Sequence, residues 1–145
     1  MRKIIICVLL FVFSLVGCAV KERSYPEWAE NKEQQNFYND MTNILPKIEK
    51  GLQQKKSTYY DKIMEEDLEK YKVKNLTIEL NEKEKEILSS LLDVLFSYKL
   101  YIEAYYKSDE IYNDNLIDKD KLFGMELYKS LEKFIDLLEI DYVLD

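Results

Sequence analysis

Residues 81–107, NEKEKEILSSLLDVLFSYKLYIEAYYK, decide the fold class. Leu88, Leu91, Leu95, Tyr98, Ile102 and Tyr105 follow one another in alternating steps of three and four. That period keeps side chains on one stripe of an α-helix lying at a shallow angle against its neighbours. Asn81, with Glu84 three residues on, has the form of a capping box, in which each side chain satisfies an orphan backbone N–H of the other. The spacing predicts a helix from that box to about Lys107.

Downstream, Leu127, Leu131, Phe134 and Leu138 line one face of a last helix, widened by Leu122, Phe123, Ile135 and Leu137, and Asp118 is placed to cap it. Upstream, a first helix is expected from about Pro26, bearing Trp28, Phe37, Tyr38, Met41, Ile44, Leu45, Ile48 and Leu52. Pro46 is expected to kink or split it. A second helix, capped by Ser57, carries Tyr60, Ile63, Met64, Leu68 and Tyr71, and Val73 to Leu80 alternates like a strand too isolated to form a sheet. With three glycines and two prolines in 145 residues, the chain has little to interrupt helices. The expected architecture is all-α, a small three- to four-helix up-and-down bundle over residues 26–145.

The N-terminus has another character. Arg2 and Lys3 precede a thirteen-residue apolar run from Ile4 to Val16, followed by Gly17 and Cys18. A charged start, a short apolar stretch and a small residue before a cut site make a secretory signal. Thirteen residues of helix span roughly 20 Å, short of the roughly 30 Å hydrocarbon core of a bilayer. Leu15-Val16-Gly17-Cys18 resembles the lipobox of bacterial lipoproteins, with an aliphatic residue three before an obligatory cysteine and a small residue directly before it. The resemblance covers residues 1–18 and implies cleavage between Gly17 and Cys18, with a diacylglyceryl group on the Cys18 thiol. It divides the chain into a cleaved signal (1–17), a lipidated tether (18–25) and the bundle. Two acyl chains make a stable anchor, so the expected location is the extracytoplasmic face of a membrane.

Cleavage would take the formal charge from −7 to −9, because Arg2 and Lys3 leave with the signal. An acidic domain is repelled by duplex nucleic acid, and no nucleic-acid partner is expected. The charge is uneven. Lys47, Lys50, Lys55, Lys56 and Lys62 face Glu49 and Asp61, while residues 109–145 hold eleven acids and four lysines. The basic run reads as a solvated helix face or as a contact with lipid headgroups.

Known chemistries find little footing. No histidine is present, which removes the commonest general base and imidazole zinc ligand. Glycines at 17, 51 and 124 cannot form a phosphate-cradling loop. Asp109, Glu110, Asp114, Asp118 and Asp120 crowd one segment, but Leu122, Gly124 and Lys129 break the spacing of a calcium loop. Glu65, Glu66 and Asp67 are adjacent and point in different directions on a helix. Cys7 leaves with the signal and Cys18 is consumed by lipid. No catalytic residue, metal site or cofactor is expected, and the protein reads as non-enzymatic.

The functional content lies in the twelve tyrosines, above all Tyr98, Tyr101, Tyr105 and Tyr106, followed by Tyr112. Tyrosine pairs a large apolar area with a polar tip and is enriched in binding patches, although core margins use it as well. These four are the candidate partner-binding residues, with Tyr101 and Tyr106 outside the Leu88-Leu95-Ile102 line. The expected function is a membrane-anchored protein-interaction module at the cell envelope, binding an envelope or extracellular protein or peptide. Self-protection, by immunity or exclusion, is one form, and the acidic surface would suit a cationic peptide. A structural or assembly-accessory, pilotin-like lipoprotein is the alternative.

Overall fold

The computed structural model describes residues 24–76, 79–108 and 119–142. The signal and lipobox, the acidic residues Asp109 to Asp118 and Tyr112 lie outside the described residues. Among the described residues there are five α-helices: α1 (Lys32–Gln54), α2 (Thr58–Lys62), α3 (Glu69–Leu76), α4 (Glu82–Ser108) and α5 (Lys119–Leu138). One turn of π-helix, Ile63–Asp67, joins α2 to α3. Among the described residues there is no strand, and Val73 lies in α3.

Side-chain pairs fix the topology. Tyr59 reaches Gln54 at 3.2 Å, Lys47 meets Asp67 at 2.6 Å and Lys70 meets Asp40 at 2.5 Å. The broken helix 58–76 therefore returns antiparallel along α1. Lys99 stands 5.2 Å from the centre of the Tyr60 ring, which runs α4 back alongside α2. Lys83 meets Glu139 at 3.5 Å, and the Tyr101 ring lies over Gly124, so α5 descends beside α4 in the most extensive helix pairing of the molecule. The result is an up-and-down four-helix bundle whose second member is built from three pieces.

α4 begins where its box predicts. Asn81 N donates to Glu84 Oε2 at 2.9 Å, and Glu84 N donates to Asn81 Oδ1 at 2.8 Å. Its stripe is buried from Leu88 through Ile102, joined by Ile87 and Val94, while Tyr105 at the far end is half-buried. On α5 the predicted face Leu127, Leu131, Phe134 and Leu138 is buried, with Ile135 beside it, whereas Leu122 is exposed.

Three expectations are corrected: the start of α1, the continuity of the second helix and its cap by Ser57, whose side chain makes no capping bond; of the kink or split expected at Pro46, the split does not occur. α1 starts at Lys32 rather than near Pro26, because Asn31 and Gln34 form a reciprocal capping box of their own, with all three bonds at 3.0 Å. Three satisfied donors outweigh the preset φ of Pro26. Pro26 instead opens a turn, its carbonyl accepting from Ala29 N at 2.9 Å, and Trp28 packs edge-on against Phe37 and Tyr38. Nor does Pro46 split α1. It stands on the exposed side, so its missing N–H falls toward solvent, and Met41, Ile44, Leu45 and Ile48 hold the opposite face in the core. The second helix is broken at a place without glycine or proline. Ile63 and Leu68 are five residues apart and both fully buried. In an α-helix they would point about 140° apart, given 3.6 residues per turn. A π turn, with Leu68 N donating to Ile63 O at 3.0 Å, brings both inward and leaves Glu65 and Glu66 outside.

Candidate interaction surface

The four candidate tyrosines sit in the second half of α4, and the fold gives them different tasks. Tyr98 is fully buried. Its hydroxyl donates to the carbonyl of Lys56, just past the end of α1. Membership of the apolar stripe thus prevails, and Tyr98 is corrected from a partner-binding candidate to a core clamp. Tyr101 is half-buried between α4 and α5, where a methyl on Gly124 would lie 3.6 Å from its Cε2. Tyr105 lies beneath Lys55, whose Nζ is 3.6 Å from the ring centre. Tyr106 is 52% exposed; its ring meets that of Tyr105 edge-on at 5.6 Å, and its hydroxyl donates to Lys55 O at 2.6 Å.

Tyr98, Tyr105 and Tyr106 therefore converge on one object, the turn that ends α1. Lys55 adopts a left-handed conformation, φ 51° and ψ 46°, usually reserved for glycine at this place. Lys55 N donates to Leu52 O and Lys56 N to Gly51 O, both at 3.1 Å, the paired bonds of a Schellman turn. A side chain in this region is strained by roughly 1–2 kcal/mol. Hydroxyls bonded to the carbonyls of Lys55 and Lys56, together with the lysine stacked on Tyr105, hold it there. Gly51, Lys55 and Tyr59 are partners of these tyrosines that no motif in the sequence singles out. Gly51, the one glycine of α1, was the available signal, because a buried helical glycine marks a close approach.

This end of the bundle also carries Lys50, Lys56 and Lys62. All three are exposed, and none makes an ion pair with another described residue. Elsewhere most lysines are matched: Lys47, Lys70, Lys72, Lys83, Lys85 and Lys129 each hold a carboxylate. Glu49 accepts from Tyr142 at 2.9 Å.

The opposite end holds a cleft of about 390 Å³ between the starts of α1 and α4 and the side of α3. Two of its carboxylates are engaged within the fold. Asp40 accepts from the Tyr71 hydroxyl and from Lys70, and Glu84 closes the cap of α4. Burial, then the Asp40 carboxylate, pushes the Tyr71 hydroxyl well above the ordinary tyrosine range.

Burial, reinforced by Tyr59 and Tyr106, pushes the Tyr98 hydroxyl from 10 up to about 12. A proton held more tightly in the folded state contributes stability that is complete below the unfolded pKa and is lost as pH rises through the folded one. The melting temperature should therefore fall between pH 10 and 12, the interval over which Tyr98 ionises first in the unfolded chain. Tyr71, shifted in the same direction, adds to the fall. Tyr98→Phe should start lower and decline less steeply over this interval. Parallel wild-type and variant curves in a pH series of thermal melts would show that the Tyr98 proton is not linked to folding.

Comparison with profiles of protein families, with curated proteins and with solved structures finds no match for this chain. Among the described residues, no helix is long and apolar enough to cross a membrane.

Proposed function

We propose that this protein is a lipoprotein, anchored through Cys18 on the extracytoplasmic face of a membrane, and that its bundle is a non-enzymatic protein-interaction module. The observation that carries the interaction reading is the half-exposed aromatic pair Tyr105 and Tyr106, set on a rigid turn at one end of the bundle. Aromatic side chains already fixed by packing lose little freedom when they bind, and this favours their use as anchors. The anchor reading rests on Leu15-Val16-Gly17-Cys18 after the apolar run. Tethering would confine encounters to partners at the membrane surface and raise their effective concentration. Self-protection at the envelope, by immunity or exclusion, is one form that such a tethered binder takes.

Two measurements test the reading. Mass spectrometry of the membrane-purified protein should find a lipid-modified Cys18 at the N-terminus, and Cys18→Ala should leave the precursor uncut. Any other N-terminus ends the lipoprotein proposal. A photocrosslinking residue placed at position 106 in cells should capture a discrete partner. Tyr106→Ala, which removes a half-exposed ring and a single hydrogen bond, should reduce recovery from a second crosslinking position, 105, more than it lowers the melting temperature. Recovery that falls only in proportion to stability would make Tyr106 a structural clamp like Tyr98.

A further inference from the structure

We infer that the end of the bundle formed by the α1–α2 connection and the last turns of α4 docks an acidic segment of a partner protein. The inference rests on the interaction reading above and specifies its partner. Residues 50–62 carry four lysines, Lys50, Lys55, Lys56 and Lys62, against the single acid Asp61, in a chain of net charge −7. The bonds from Gln54 to Tyr59 and from Lys47 to Asp67 bracket Lys50 and Lys62, placing both in the same few turns of the antiparallel pair. Lys56 stands on the turn between them.

The lysines that face acids in this fold are bound to them. Lys50, Lys56 and Lys62 are exposed and make no ion pair with another described residue, which leaves their ammonium groups open to an incoming carboxylate. Lys55 and Lys99 add charge over the rings of Tyr105 and Tyr60, and the exposed Tyr106 supplies apolar area beside them. Cations next to amphipathic rings suit a peptide that alternates carboxylates with apolar side chains. Glu65 and Glu66, exposed on the π turn below, bound the patch on one side.

The sign of the remaining surface contributes to specificity. An acidic partner is repelled by a chain of this net charge except where the lysines are concentrated, so repulsion elsewhere orients the encounter as much as attraction does here. Position favours a protein over the anchoring bilayer. The described chain begins at Ser24, and the next residue, Tyr25, packs on Tyr38 and accepts from Asn39 in the first half of α1, whereas the patch lies at the other end of that helix. From Asn39 to Lys55 the helix rises roughly 24 Å at 1.5 Å per residue. An anchor at Cys18 would join the domain beside the first half of α1, away from the patch.

The test uses the full chain in a nonionic detergent and a fluorescent oligoglutamate peptide of roughly a dozen residues, followed by anisotropy. A lysine peptide of equal length and phosphatidylglycerol vesicles are run alongside. The glutamate peptide should bind more tightly than the lysine peptide, and its binding should weaken as salt rises. Lys50→Gln/Lys56→Gln/Lys62→Gln should weaken it about tenfold, as expected when several exposed charges act together. The melting temperature of this variant should stay within about 2 °C, because the three side chains make no described ion pair. Equal binding by wild type and variant overturns the inference. So does preference for the lysine peptide, or lysine-dependent capture of vesicles without capture of the peptide. A partner crosslinked at position 106 through a segment lacking acids overturns it while leaving the interaction reading intact. Discrimination of the peptides without any crosslink in cells supports the inference and sinks the broader reading.

Discussion

Leu95→Ala should cost about 2–5 kcal/mol of folding free energy, the usual range for truncating a buried leucine in a helical core. Leu95 is 1% exposed and sits mid-stripe on α4, the helix that pairs most extensively with α5. Cutting its isobutyl side chain back to a methyl removes three buried carbons. It also leaves a void that close-packed neighbours fill only in part. For a domain of this size the midpoint of thermal unfolding should drop by about 10 °C or more. Leu92, three residues earlier on the same helix and 39% exposed, is the internal control. Leu92→Ala loses only part of that burial and opens no enclosed void, and should cost about 1 kcal/mol or less. Urea melts of the two variants compare like with like, since residue type, helix and substitution are the same. Equal losses would mean that α4 does not present the face described.

The contrast between those leucines was legible before any coordinates, because a three-four stripe specifies one face of a helix and excludes its neighbours. The reciprocal cap at Asn81 and Glu84 was legible for a related reason: both partners are local, three residues apart, and need nothing from the rest of the chain. Asn31 and Gln34 form the same device, yet Pro26 competes with them as a start signal upstream. Propensity alone does not say which wins. Tertiary contact decides, because Trp28 can reach Phe37 and Tyr38 only from a turn ahead of the helix. The π turn is a plainer case of tertiary override. Nothing between Thr58 and Leu76 breaks a helix by composition, and the only trace is the five-residue gap between Ile63 and Leu68, filled mainly by acids.

The candidate surface was half legible. Tyr98 belonged both to the stripe and to the tyrosine cluster, and stripe membership was the stronger signal, since a residue on the line of Leu91 and Leu95 has no route to solvent. That Tyr105 and Tyr106 would close over the Lys55 turn could not be read from sequence. The contact joins residues fifty-one apart and depends on α1 and α4 ending at the same height. The basic run 50–62 was visible as composition, but its separation from the start of α1 follows from topology.

Gly51→Ala should destabilise the fold by about 2–3 kcal/mol, in the range of overpacked cores, although the same change in an open helix is favourable. Glycine inside a helix normally costs roughly 0.5–1 kcal/mol relative to alanine, so the usual expectation has the opposite sign. Gly51 is buried in the last turns of α1, and a methyl there would overlap Tyr98 Oη and lie 3.0 Å from Tyr59 Cβ and 3.1 Å from Tyr98 Cζ. The tyrosine cannot withdraw freely, because its hydroxyl is committed to the carbonyl of Lys56 and its ring is fully enclosed. Tyr98→Phe alone should cost about 1–2 kcal/mol by leaving that carbonyl without its donor. Combined, the two changes should cost less than their sum by about 1 kcal/mol or more, since phenylalanine lacks the atom that the new methyl would meet. The remaining contact with Cζ keeps the relief incomplete. Denaturant titrations of the two single variants and the double variant supply the cycle. A stabilised Gly51→Ala would show that α1 and Tyr98 are spaced further apart than described. Strict additivity would show that the methyl and the hydroxyl never compete for the same space, and that the lock on the α1 terminus is held by the ring alone.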